Sequence, residues 1–130
     1  MDKAIDSLLP RDKHDVSNAM ALVNLGWDGA ECVAPQILEW VQDLNWPVAY
    51  IFAPFLVDAG ARLAPFIRPI FAGDDAIWTF NILQAVVSQS PALTTELFCE
   101  LECLAHNPTL NEELEGASDE ARQILEDHAR

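Results

Sequence analysis

Three side chains that could bind a soft metal ion share one side of a predicted helix. Cys99, Cys103 and His106 lie at positions i, i+4 and i+7 of that helix. The spacing could supply three ligands to an ion such as zinc. No fourth ligand, Cys-x-x-Cys pair or His-Glu-x-x-His motif accompanies them. We therefore predict no metal site, and interpret the two cysteines as small apolar residues packed against a neighbouring helix.

Two adjacent carboxylates, Asp74 and Asp75, could coordinate a hard cation. An aspartate directly before an apolar run more often accepts hydrogen bonds from the first turn of a helix. We interpret Asp75 as such a cap and keep both residues as speculative binding residues.

The densest mixed-charge cluster is Arg11-Asp12-Lys13-His14-Asp15. Arg11 and Lys13 could hold a carboxylate or phosphate, and His14 could act as an acid–base group. With Trp46 and Asp74 nearby, the cluster would form a small-ligand or enzymatic site, provided that these side chains converge in one pocket. The alternative interpretation is a solvated turn that leads into a helix capped by Asp15.

Two tryptophans fall in predicted turns between helices. Trp27 lies in the turn Trp27–Ala30, and Trp46 directly follows Asn45, a predicted cap. Tryptophan is enriched at binding hot spots, so Trp27, Asn45 and Trp46 are candidate binding residues. The alternative is burial in the core. The sequence contains no P-loop, Gly-x-Gly-x-x-Gly or Gly-flanked nucleophile, and we predict neither catalytic residues nor a cofactor.

The elements that position these residues follow an internal repeat of thirty positions. Val33-Ala34-Pro35-Gln36-Ile37 returns as Leu63-Ala64-Pro65-Phe66-Ile67, and the predicted caps Asp15, Asn45 and Asp75 recur at the same offset. Such a period is typical of stacked helix pairs, with Pro in the first turn of one helix and Asp or Asn before the other. The pattern predicts an all-α, right-handed stack of antiparallel helix pairs.

We predict a single domain, 1–130, of about seven helices. A leading segment, 1–14, precedes repeat units at about 15–30, 31–58, 60–89 and 91–130. The predicted helices are about 15–25, 34–44, 47–57, 64–71, 75–88, 92–105 and 112–128. Pro54 should kink or shorten its helix. Asn81, Gln84 and Ser88 form a polar strip. Gly116 and Ser118 are expected to split the last helix near its start.

The charge restricts the classes of partner. The net charge is −14, from 21 acidic against 7 basic residues. Such a surface repels phosphate backbones, so we expect no nucleic-acid partner. Residues 96–127 carry ten acids and one base, Arg122, and such a face can steer a basic partner or merely aid solubility. An acidic start without a signal-peptide pattern, and no long uninterrupted apolar run, favour a cytoplasmic protein without a membrane partner.

Four segments resemble a family of small bacterial proteins known only as a domain of unknown function: Leu8–Asp15, Leu38–Ala49, Asp74–Trp78 and Leu104–Thr109. The resemblance implies a compact all-helical fold similar to HEAT-type repeats and brings no activity or catalytic residue. Our first hypothesis is a non-enzymatic protein-interaction module that binds a basic protein, in one version an immunity-type inhibitor that caps a toxin. The alternative is the site at Arg11–Asp15, Trp46 and Asp74.

Overall fold

Every regular element that the structure contains is helical. The structure is a computed structural model that describes residues 5 and 7–130, and no strand occurs among them. The α-helices are α1 Val16–Val23, α2 Gly26–Ala30, α3 Ala34–Glu39, α4 Pro47–Ala59, α5 Ala64–Phe71, α6 Ala76–Ala85, α7 Pro91–Glu96, α8 Phe98–His106, α9 Leu110–Leu114 and α10 Ala117–Ala129. Short 3-10 helices lie at Glu31–Val33, Gly60–Leu63 and Val87–Gln89. The predicted all-α class is therefore confirmed.

The chain divides into two compact units, Met1–Leu56 and Val57–Arg130, and the division falls within α4. The first unit buries an apolar core from α1, α2, α3 and the first part of α4. Its fully enclosed large side chains are Leu22, Ile37, Leu38, Phe52 and Leu56. The second unit buries Leu63, Ile67, Ile82, Leu83, Leu93, Leu97 and Leu101, and α10 packs on α8 and α6.

Two segments that correspond in the predicted repeat have similar local structure. In the first unit a 3-10 helix, Glu31–Val33, runs into α3, and in the second the 3-10 helix Gly60–Leu63 runs into α5. Both α-helices begin at the alanine of an Ala-Pro pair, with proline in the first turn. That position suits proline because its missing N–H would have no partner inside the helix.

Two of the three predicted caps are formed. The Asp15 side chain accepts a hydrogen bond from the Asn18 N–H at 3.3 Å, and the Asp75 side chain accepts one from the Trp78 N–H at 3.0 Å. The prediction for Asn45 is wrong. Because Pro47 occupies the first helical position of α4, the residue before the helix is Trp46, and the Asn45 N–H instead donates to Asp43 Oδ1 at 2.9 Å.

Several predicted helices have different bounds in the structure. The segment predicted as a turn, Trp27–Ala30, is helical and belongs to α2. The helix predicted at 92–105 is divided at Leu97 into α7 and α8, and α4 continues to Ala59 instead of ending early at Pro54. Gly116, with φ +89°, separates α9 from α10 as expected. Only glycine adopts this left-handed conformation without strain, so the helix cannot pass through it smoothly.

Residues Pro47–Phe71 are long and apolar enough, with a mean hydropathy of 1.3, to meet the length and composition of a membrane span. Much of this segment also supplies core side chains, including Phe52, Leu56, Leu63 and Ile67. A buried core helix has the same composition as a membrane span, so a single segment of this kind does not indicate a membrane location.

Candidate functional site

The mixed-charge cluster forms a tight turn before α1. Asp15 Oδ2 accepts the Arg11 backbone N–H at 2.9 Å and lies 3.6 Å from the Arg11 Nε, and Asp12 Oδ1 accepts the His14 N–H at 2.8 Å. The Arg11 N–H hydrogen bond, with smaller contributions from Asn18 and the Arg11 guanidinium, lowers the pKa of the Asp15 carboxyl, while burial opposes this effect. The four residues Arg11–His14 are exposed.

Hydrogen bonds attach the leading segment to the rest of the first unit. The Asn18 side-chain amide donates to the carbonyl oxygens of Ser7 and Leu9, both at 3.3 Å. The Val48 N–H, in the first turn of α4, donates to the Lys13 carbonyl at 3.2 Å. These bonds place the charged turn beside the start of α4 and therefore close to Trp46.

A groove with two tryptophans lies in the first unit. It has a volume of about 350 Å³. Its lining, hereafter the tryptophan groove, consists of Leu9, Pro10, Gln36, Glu39, Trp40, Gln42 and Trp46. The Trp40 and Trp46 ring centroids are 5.7 Å apart and the ring planes meet at 69°, an edge-to-face arrangement. Both rings are half-buried, so part of each ring is accessible to a ligand.

The turn that ends α3 places both tryptophans in this groove. The α3 helix ends at Glu39, and the Trp40 N–H closes it by donating to the Ile37 carbonyl. The Trp46 N–H donates to the Asp43 carbonyl at 3.2 Å. The sequence prediction extended this helix to position 44 and assigned Trp40 to its apolar face. The early end therefore explains why the groove escaped prediction.

Trp27 is buried in the core instead of lying at an accessible surface. It lies in α2, is 6% exposed, and its ring centroid is 6.2 Å from that of Phe55. The ring therefore belongs to the core of the first unit, and a partner at the surface would meet little of it.

A second concave surface, in the second unit, brings together Asp74 and Asp75 with α9. Two adjoining cavities of about 450 and 310 Å³ share Asp74, Ala76 and Asn111. The lining of the two together, hereafter the acidic cleft, consists of Gly73, Asp74, Asp75, Ala76, Ile77, Thr109, Asn111, Glu112 and Glu115. It contains four carboxylates, of which Asp74 and Asp75 were predicted from the sequence, and no basic side chain from the described part of the chain.

The capping box at the start of α9 arranges one wall of the acidic cleft. The Thr109 hydroxyl accepts the Glu112 N–H at 3.2 Å, and Glu112 Oε1 accepts the Thr109 N–H at 2.8 Å. This reciprocal pair fixes the helix start, whereas the sequence prediction began the helix at Glu112. The Thr109-x-x-Glu112 pattern was the signal that would have placed α9 correctly.

Apolar side chains border the acidic cleft. Ile77, in its lining, is 53% exposed, and Leu110 and Leu114 on α9 are 69% and 70% exposed. Leu110 and Leu114 lie four residues apart and so share one helix face. That face is next to the one formed by Asn111 and Glu115, which line the cleft.

The cysteine–histidine group has no metal-binding geometry. Cys99 and Cys103 are free, exposed thiols, and His106 Nε2 lies 3.3 Å from Glu102 Oε2. Within residues 5 and 7–130, no three potential ligands of the His, Cys, Asp and Glu types come together. The expectation that both cysteines pack against another helix is wrong, because Leu97, Leu101 and Leu104 occupy the buried side of α8.

The structure groups the predicted site residues into separate places. Arg11 and Asp15 contact each other, Trp46 lines the tryptophan groove, and Asp74 and Asp75 line the acidic cleft in the second unit. Asn45 is exposed in the turn before α4. The residues that the sequence reasoning missed are Trp40 and Glu39 in the groove, and Asn111, Glu112 and Glu115 in the cleft.

Comparison with known proteins gives a family without an assigned activity. A comparison with curated proteins finds no match. The model of the domain of unknown function DUF5071 matches residues 8–125. This range covers both units almost completely, together with every residue of the tryptophan groove and the acidic cleft. The chain therefore belongs to the family described as domain of unknown function DUF5071.

Proposed function

We propose that this protein is a non-enzymatic interaction module, and that its acidic cleft binds a basic, partly apolar surface of another protein. The observation that carries the proposal is a concave surface with four carboxylates, which has exposed Ile77 in its lining and exposed Leu110 and Leu114 at its border. Contiguous exposed apolar surface with a polar rim is typical of protein interaction sites. Opposite charge speeds association and selects the partner.

Two of the four carboxylates are available to a partner. Asp75 and Glu112 accept hydrogen bonds from the backbone of the first turns of α6 and α9. The carboxylates of Asp74 and Glu115 accept no hydrogen bond and form no ion pair with any residue in the described part of the chain. Both residues are exposed, so lysine or arginine side chains of a partner can reach these two carboxylates.

The nearby arginines of the second unit are engaged elsewhere. Arg68 Nε lies 2.8 Å from Glu100 Oε2, and Arg122 Nη1 lies 2.7 Å from Asp119 Oδ1. These pairs neutralise carboxylates outside the acidic cleft. These two arginines leave the carboxylates of the acidic cleft unneutralised, which favours approach of a basic surface.

The apolar border would supply contact area that charge alone does not. Leu110 and Leu114 each expose about seven-tenths of their surface. Burial of such side chains against a partner contributes roughly 1–2 kcal/mol each before the costs of association. We therefore expect an amphipathic partner surface, in which basic side chains flank an apolar centre.

As the architecture that presents this surface, we propose a right-handed, HEAT-like stack of antiparallel helix pairs with a repeat of about thirty residues. The matched 3-10 and Ala-Pro starts of α3 and α5 support it locally. An immunity-type inhibitor in the cytoplasm, which covers a basic toxin surface, is one version of this function. A small-ligand site at Arg11–Asp15 has less support, because Arg11–His14 are exposed and Arg11 contacts Asp15.

The test is affinity capture from the native host with tagged protein at low salt. The wild-type chain is compared with the double variant Asp74→Asn/Glu115→Gln and with the control Asp58→Asn/Glu126→Gln. Both variants remove two negative charges from exposed residues of the second unit, but only the first alters the acidic cleft. Their surfaces are otherwise nearly isosteric with that of the wild-type chain.

We expect the wild type and the control to recover the same basic protein, and the cleft variant to recover much less of it. High salt should reduce recovery in all cases, because exposed ion pairs are screened. Equal recovery by the cleft variant and the control would overturn the assignment of the cleft. Failure of the wild type to recover any basic protein would overturn the proposed function.

A further inference from the structure

The tryptophan groove has a composition that the acidic cleft lacks. Two aromatic rings at a steep angle, one carboxylate and two primary amides line a volume of about 350 Å³. This volume is at the lower end of the range for small-molecule pockets and is too small for a helix. Its occupant is therefore a small group or a single side chain.

The aromatic pair defines the chemistry of that group. The face of an indole ring carries negative electrostatic potential and attracts cations, and tryptophan is the strongest of the aromatic residues in this respect. Because the Trp40 and Trp46 rings meet at 69°, an occupant can lie over the face of one ring and against the other. Both rings are half-buried and hence partly accessible.

The polar residues of the groove favour the same class of group. Glu39 and Gln36 are exposed, and neither side chain pairs with another residue in the part of the chain that the structure describes. Among residues 5 and 7–130, no lysine, arginine or histidine belongs to the lining. A cation over the rings would therefore gain an unpaired carboxylate, with the Gln36 carbonyl oxygen as a further acceptor.

We propose that the tryptophan groove binds the guanidinium group of an arginine side chain, presented by a polypeptide. A guanidinium is planar and weakly hydrated, so it can stack on an indole while its N–H groups donate to a carboxylate. An ammonium group is compact and more strongly hydrated, and a quaternary ammonium cannot donate hydrogen bonds to Glu39 or Gln36. The geometry thus favours arginine over lysine and over methylated amines.

This inference is independent of the acidic cleft, since the groove lies in the first unit and uses different residues. The experiment titrates the ¹⁵N-labelled full chain with a short capped peptide that contains one arginine among glycine and serine residues. The indole N–H signals of Trp40 and Trp46 report binding at the groove. Matched peptides contain lysine, a positively charged side chain of another shape, or citrulline, a neutral side chain of nearly the same shape.

We expect the arginine peptide to shift both indole signals. It should bind roughly 3- to 10-fold more tightly than the lysine peptide and at least about 10-fold more tightly than the citrulline peptide. Comparable binding of the lysine or citrulline peptide would overturn the assignment to a guanidinium. The assignment would also be overturned if choline bound more tightly than the arginine peptide, or if millimolar arginine peptide caused no shift of the indole signals.

A variant tests the carboxylate without disturbing the rings. Glu39→Gln removes the charge from an exposed side chain, and we expect roughly 3- to 10-fold weaker binding of the arginine peptide. Glu31→Gln is the matched control, because Glu31 is exposed in the same unit and outside the lining. Equal effects of the two substitutions would show that only net charge matters and would contradict the proposal.

Discussion

The carboxyl group of Asp15 connects local backbone geometry with the pH dependence of stability. It accepts the N–H groups of Arg11 and Asn18, and so fastens the leading turn to the first turn of α1. These hydrogen bonds favour the charged form, and the pKa of the folded protein is lowered from the ordinary value of 3.8. The stabilisation is therefore present above that value and is lost as the pH falls through the lower pKa of the folded state.

We predict that Asp15→Asn reduces stability at neutral pH, and that the difference from the wild type shrinks on acidification below the ordinary carboxyl pKa. The amide can still accept hydrogen bonds but lacks the charge that the Arg11 N–H and guanidinium stabilise. Urea unfolding across the acid range would measure this difference. A difference that is independent of pH would contradict the assigned role of the Asp15 charge.

A buried hydroxyl joins two elements of the second unit. Thr94 is 3% exposed, and its Oγ1 lies 3.2 Å from the Val87 carbonyl and 3.1 Å from the Ser90 carbonyl. We predict that Thr94→Val, which keeps the shape, lowers the free energy of unfolding by about 1 kcal/mol. Urea titration monitored by circular dichroism provides the measurement.

Thr95 offers a matched control for that substitution. Its hydroxyl lies 3.1 Å from the Pro91 carbonyl on the same helix and 3.2 Å from His128 Nε2 on α10, but the residue is exposed. Thr95→Val should change the free energy of unfolding by less than about 0.5 kcal/mol, because water can replace the lost hydrogen bond. If the two substitutions cost the same, the burial of the Thr94 hydroxyl is irrelevant to stability.

At the scale of elements, the sequence correctly predicted the features that depend on only a few neighbouring residues. The Asp75 cap, the Ala-Pro starts of α3 and α5, and the break at Gly116 each depend on one or two residues with strong backbone preferences. The division of the predicted helix at Leu97 was not predictable, because the leucines on either side of Leu97 continue the helical spacing without interruption. Such a division reflects packing against other elements, which a sequence pattern does not contain.

The turn between α3 and α4 shows that the same limit of sequence prediction applies to a candidate binding site. Pro47 sets the start of α4, which displaces the cap from Asn45, and the end of α3 at Glu39 turns Trp40 toward Trp46. The tryptophan groove therefore depends on the start of α4, which was predicted correctly, and on the end of α3, which was predicted at position 44 instead of Glu39. Trp46 alone was identifiable as a candidate from its place in a turn.

Substitution of Gly116 tests the break between α9 and α10. Its φ of +89° is in the left-handed region, and an added Cβ would lie 3.4 Å from Phe80 Cε1. Gly60, with φ +61°, has no atom within 4 Å of such a Cβ. We predict that each substitution to alanine lowers the free energy of unfolding by about 1–2 kcal/mol, with the larger loss at Gly116.

Chemical denaturation of both glycine variants under the same conditions gives the comparison. Both substitutions introduce backbone strain, and the additional loss in Gly116→Ala reports its φ of +89°, which is further than the +61° of Gly60 from the left-handed minimum at roughly +57°. If Gly116→Ala left the free energy of unfolding unchanged, α9 and α10 could be joined without strain, and the left-handed conformation of Gly116 would not be the reason for the break between them.

At the scale of the whole molecule, charge distinguishes this chain. Its net charge is −14, and the arginines Arg68 and Arg122 pair with glutamate and aspartate outside the acidic cleft. Self-repulsion of such a surface is unfavourable for the folded state, and a basic partner would relieve it. The central claim is therefore that the acidic cleft, rather than net charge alone, selects the partner.

The most direct test is the affinity of the captured partner for purified wild-type protein, Asp74→Asn/Glu115→Gln and Asp58→Asn/Glu126→Gln, measured by isothermal titration calorimetry at one ionic strength. We predict that the cleft variant binds roughly 5- to 30-fold more weakly, since two ion pairs at about 0.5–1 kcal/mol each are lost. The control should stay within about 2-fold of the wild type, because it changes only the long-range, screened charge. Equal weakening of both variants would contradict the claim and would reduce the interaction to general electrostatic attraction.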